Sequence, residues 1–85
     1  MERIEVERRV TGVIARVLKL PPAEIGVDAN FVFDLGADSM QSLELVAAFE
    51  EEFGVELERE QALGVQTVAS AVDFIRSAVN EQGGA

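Results

Sequence analysis

Ser39 is the first candidate for chemistry in this sequence. It follows Asp38, a good helix N-cap, and Gln41 stands three residues on from Asp38, where a capping box takes Glu or Gln. A hydroxyl at a helix start lies beside unpaired backbone N–H groups and the positive end of the helix dipole. A phosphoester carried there is favoured by about 0.3–1 kcal/mol. Serine is also common in a first helical turn with no further role. The chain has no His and no Cys, so the usual general base, transition-metal ligand and thiol nucleophile are all missing. Ser39 is therefore read as a group that another protein modifies, and the chain as a non-catalytic one with no catalytic residues.

Carboxylates are the second candidate. Sixteen acids against seven bases give a formal net charge of −9, the wrong sign for a nucleic-acid binder. The run Glu50-Glu51-Glu52 is either a solvated face or the rim of a contact for basic partners. With Glu56 it is expected to repel itself near neutral pH. Asp28-Ala29-Asn30 begins like a calcium loop but lacks the glycine and the closing glutamate. No metal site is expected.

These residues need elements to position them. Val6, Val10, Val13, Ile14 and Val17 recur at helical spacing and predict an amphipathic helix over 3–18, stopped by Leu20-Pro21-Pro22. Gly12 inside it is read as a close packing contact. From 20 to 37 no period holds. The turn formers Gly26, Asp28, Asn30, Asp34 and Gly36 alternate with Ile25, Val27, Phe31 and Leu35, which can pin this long loop to a core. A second helix is predicted over 38–53, closed by Gly54. At 100° per residue, Leu45, Val46, Phe49 and Phe53 form its core stripe. Met40, Leu43 and Ala47 form another stripe elsewhere on the same helix, flanked by Glu44, Glu50 and Glu51. Residues 58–63 predict a short helix closed by Gly64. Thr67 caps a last helix to about Val79, with Val68, Ala71, Val72, Ile75 and Val79 facing the core. The tail, 80–85, is expected to fray. The sum is one small all-α domain over 1–85, a bundle of three main helices and one short helix.

No stretch approaches the ~18 apolar residues that span a membrane, and the N-terminus lacks an apolar leader core. A cytoplasmic monomer is expected, without nucleic-acid or membrane partners.

Gly36-Ala37-Asp38-Ser39-Met40, then Glu44-Leu45-Val46 and Glu50-Glu51-Glu52-Phe53, closely resembles the acyl carrier proteins of dissociated (type II) fatty acid synthesis. The likeness takes in Phe31-Val32-Phe33-Asp34-Leu35-Gly36 before the serine. It continues through Thr67-Val68 and Ala71-Val72-Asp73-Phe74-Ile75. It implies a four-helix bundle in which Ser39 carries 4′-phosphopantetheine, installed from coenzyme A by a phosphopantetheinyl transferase. It implies acyl chains carried as thioesters and delivered to fatty acid or polyketide synthesis enzymes with basic docking patches. By motif position, docking falls on Asp34, Asp38, Met40, Leu43, Glu44, Ala47, Glu50 and Glu51. The lining of an acyl pocket falls on Phe31, Leu45, Val46, Phe49, Phe53, Ala71 and Ile75. Met40 stands where that family usually has leucine, Gln41 and Phe33 where acids are common, and Glu58 where a proline often opens the short helix. A carrier for a polyketide, a specialised long-chain lipid or a peptidyl pathway is the alternative. Acidic Glu44, Glu50 and Glu51 argue against the peptidyl case. A helical bundle that only binds protein or calcium is the remaining one.

Overall fold

The computed structural model describes residues 1–83. Among them run four α-helices: α1 (Arg3–Leu18), α2 (Ser39–Phe53), α3 (Arg59–Leu63) and α4 (Val68–Gln82). This is the helical bundle expected from the periodicity. A 3₁₀ turn, Pro22–Glu24, interrupts the long loop after α1. The stripes close on one core, in which Val6, Val10, Ile14, Phe53, Val72 and Ile75 are almost fully buried.

Helix α1 is the common partner. It packs against both α2 and α4, while α3 leans on α2 and the pair α2–α4 barely touches. Val6, Val10, Val13 and Ile14 fill the shared face. Leu18 is buried where Val17 was expected, and Val17 is only half-buried. Gly12 makes no close contact: it is exposed, and a Cβ there would meet open space. The prolines are not what ends α1. Lys19 turns left-handed (φ 57°), and Ala15 O accepts from the Lys19 and Leu20 amides, two residues before Pro21. Only an asparagine or glycine adopts that conformation readily.

The long loop is tied to the start of α4. An isolated antiparallel bridge pairs Asn30 with Thr67. The Phe31 amide donates to Gln66 O, and the Val68 and Ala69 amides donate to Ala29 O and Val27 O. Those two amides would otherwise be orphans of the helix start. Thr67 caps the same turn through the Ser70 amide. Ile25 and Phe31 anchor the loop in the core and Leu35 packs at its edge, but Val27 stays exposed.

Several side chains have partners far away in sequence. Arg9 of α1 lies over the Phe53 ring at 4.8 Å from its centroid. Its guanidinium donates to Glu52 Oε2 (2.7 Å) and to Glu52 O (2.6 Å). Glu50 Oε2 accepts from the Leu57 amide at 2.9 Å. Two members of the expected self-repelling acid run thus have favourable partners, which leaves Glu51 and Glu56 as its exposed part. Arg3 pairs with Asp73 of α4, which holds the guanidinium above its ordinary pKa. Helix α3 begins at Arg59 rather than 58, because Glu58 is its cap and accepts from the Glu60 and Gln61 amides. Helix α4 runs past Val79 to Gln82. The Gln82 side chain clasps Glu56, accepting from its amide and donating to its carbonyl. Residues 80–82 are therefore helical rather than frayed, and Gly84 and Ala85 lie outside the described residues.

Two substitutions test these attributions by urea denaturation. Lys19→Gly relieves the left-handed strain and should stabilise the fold by about 0.5–1 kcal/mol. Arg9→Ala removes the ion pair, the carbonyl contact and the ring contact together and should destabilise it by about 1–2 kcal/mol.

Candidate functional site

Ser39 is the first residue of α2 and is exposed. A complete capping box precedes it: Asp38 Oδ1 accepts from the Gln41 amide at 2.8 Å, and Gln41 Oε1 accepts from the Asp38 amide at 3.2 Å. The carboxylate that might have oriented the serine is thus committed to the backbone. The hydroxyl makes no hydrogen bond to any carboxylate among the described residues. The box also leaves the Ser39 and Met40 amides without acceptors, in contrast to the satisfied start of α4. Two free amides at a helix N-terminus suit an anionic group. Gly36, two residues before Asp38, turns the chain into the helix at φ 73°, a conformation that a side chain would strain.

The serine occupies a seam on α2. At 100° per residue it falls about 20° from Val46, on the edge of the buried stripe, and about 40° from Leu43, on the edge of the other stripe. That second stripe is open to solvent: Met40 is 72% exposed and Leu43 43%. Ala47, Glu44 and Glu51 are exposed beside them. Glu44 and Glu51 make no hydrogen bond or ion pair within the described chain. Three other acids on the expected docking face have structural duties. Asp38 closes the capping box, Asp34 Oδ2 accepts from the Asn30 amide at 2.7 Å, and Glu50 holds Leu57.

On the other side of the seam, between α2 and α4, lies a cavity of about 300 Å³. Phe31, Leu45, Val46, Phe49, Ala71 and Ile75 line it. Phe53 does not, since it is fully buried one turn further on, under Arg9. The sequence did not point to the rest of the lining, which includes Ser42 on α2, Leu63 on α3, Phe74 on α4, and Val32, Phe33 and Leu57 from the connecting segments. Phe74 lies outside the apolar stripe of α4, Ser42 falls within the buried sector of α2 but is polar, Leu63 ends the five-residue α3, and the loop residues fall where no period holds. The adjacent pair Val32-Phe33 among turn formers was the one local signal available. Among the described residues, no helix is long and apolar enough to cross a membrane.

The family model of the phosphopantetheine attachment site matches residues 8–75. That span takes in the capping box, Ser39, both stripes of α2 and the whole cavity lining. The exposed serine, its two free amides and the absence of any cysteine fit a group that brings its own phosphate and its own thiol. The chain belongs to the phosphopantetheine attachment family and carries 4′-phosphopantetheine in covalent linkage.

Proposed function

We propose that Ser39 is the attachment point and that the chain carries acyl groups for the enzymes of fatty acid, or closely related lipid, biosynthesis. The observation that carries this reading is the seam. By helical rotation, one exposed hydroxyl lies between the buried stripe that walls the cavity and an apolar, acid-flanked outer stripe. The bound arm supplies a terminal thiol on which an acyl group is held as a thioester. Everything else falls to the chain's own residues. Asp38 and Gln41 fix the first turn of α2, so the Ser39 and Met40 amides face the phosphodiester. The interior of Leu45, Val46, Phe49 and Ile75 shields an apolar cargo from water. Its apolar character favours an acyl over a peptidyl passenger.

The exposed stripe is the surface offered to partner proteins. Met40, Leu43 and Ala47 supply the apolar centre of a contact, and Glu44 and Glu51 supply free negative charge beside it. Asp34, Asp38 and Glu50 add to the field while holding the backbone. Such a rim speeds encounter with a basic surface more than it deepens the bound state. The phosphopantetheinyl transferase that loads Ser39 is the first such partner, and acyl-handling enzymes follow.

Incubation with coenzyme A and a phosphopantetheinyl transferase should add the mass of one phosphopantetheine group. Ser39→Ala should add none. An unmodified wild-type protein would overturn the assignment. Glu44→Lys with Glu51→Lys should lower kcat/KM for that modification by roughly threefold to tenfold at low ionic strength, with most of the loss erased by salt. Neither side chain has a partner within the fold, so the melting temperature should hold.

A further inference from the structure

Phe33 is 89% exposed, the most exposed large apolar side chain among the described residues. Its neighbour Val32 is 57% exposed, and Leu63, the last residue of α3, is 45% exposed. All three line the same cavity as the buried residues of α2 and α4. Exposed apolar residues scattered singly need no explanation, but three around one opening form a continuous apolar mouth.

This mouth is held in place. Asn30 Oδ1 accepts from the Val32 and Phe33 amides, both at 2.9 Å. Asn30 O accepts from Asp34 and Leu35, and Val32 O accepts from Gly36. The Phe31 backbone is tied on both sides, to Gln66 O and to the Ala37 amide. The segment that presents Phe33 is a hydrogen-bonded turn, so the ring is offered to solvent by a fixed backbone.

We infer that Val32, Phe33 and Leu63 form an apolar collar around the cavity mouth that covers the part of a Ser39-borne acyl chain lying between the arm and the interior. The occupant follows from position. Ser39 borders the buried stripe, and Ser42, one turn further along α2, already lines the cavity. A chain carried on Ser39 would pass Ser42 and enter the cavity beside these exposed lining residues. Short chains leave the collar idle. Long saturated chains fill the interior and are gripped at the mouth, so the collar selects for length and shields the thioester. This inference rests on the carrier reading of Ser39.

The test uses the full chain, converted to its phosphopantetheine form and loaded with saturated acyl groups of increasing length. Thioester cleavage by hydroxylamine is followed by intact mass. Wild type should be cleaved progressively more slowly as the chain lengthens. Phe33→Glu should be cleaved roughly fivefold to tenfold faster than wild type with long chains and at the same rate with the shortest. Phe33→Leu should behave nearly as wild type, and Leu63→Gln should shift rates in the same direction as Phe33→Glu. Because Phe33 is so exposed, the unloaded variants should melt with wild type. Equal cleavage of wild type and Phe33→Glu at every length would overturn the collar. So would a Phe33→Glu defect confined to kcat/KM with a partner enzyme, which would assign the ring to protein docking. A wild-type protein that gains no phosphopantetheine fails earlier, overturning the carrier reading together with the collar.

Discussion

One packing constraint organises this molecule: α1 is the shared partner of α2 and α4, and those two helices do not close on each other. A small chain buries only ~60% of its unfolded surface, so every apolar stripe counts toward stability. Here the stripe of α1 is spent twice, on both long neighbours. The space left between α2 and α4 is the cavity. Phe53, which Arg9 and Glu52 cover, lies outside its lining, and that lining takes in residues of the long loop and of the segment before α4. The loop must then do what a helix–helix contact would have done. It spans the gap by giving its carbonyls to the first amides of α4 and its Phe31 to the core.

The second consequence concerns α2. A helix that buried one face and solvated the other would have a single apolar stripe. This one has two, and Ser39 stands at the N-terminal border of both. Its capping box fixes the start of the helix within one residue, and that fixes the rotation at which the hydroxyl emerges. A slip of one residue would turn the serine by about 100°, away from the seam. The acids around it divide by role in the same way. Asp38, Asp34 and Glu50 hold backbone amides, while Glu44 and Glu51 have no partner among the described residues.

Local chemistry was legible in the sequence; long-range chemistry was not. The caps at Asp38 and Thr67, the end at Gly54 and the stripes of α1, α2 and α4 follow from spacing over a turn or two, and the structure has them. Lys19 was hidden because nothing in a lysine announces a left-handed residue, while two conspicuous prolines follow it. Nothing local in the sequence marks Arg9, because its partners Glu52 and Phe53 are more than forty residues away. Gln82 looked like part of a polar tail for the same reason, as Glu56 is 26 residues back. The candidate site divides in the same way. Ser39 and the expected helical part of the cavity wall lie on periodic elements. Val32 and Phe33 lie on a loop, where no period betrays them, and Phe53, which the resemblance implied as lining, is fully buried one turn beyond Phe49.

The cavity and the fold's modest size pull against each other. Filling the space between α2 and α4 with larger side chains would add buried apolar contact and stabilise a domain this small. That the chain instead leaves it open, and surrounds it with exposed Val32, Phe33 and Leu63, means that stability has been forgone at one place. On the reading proposed above, a passenger that entered would restore the missing contacts, so the loaded state would be the better-packed one. The gain cannot be large, or the passenger would not leave. With Ser39 as the proposed attachment point, an open cavity and an outer apolar stripe on the same helix would keep the two destinations close in free energy. A carrier needs that balance, because its cargo must be shielded in transit and surrendered on contact.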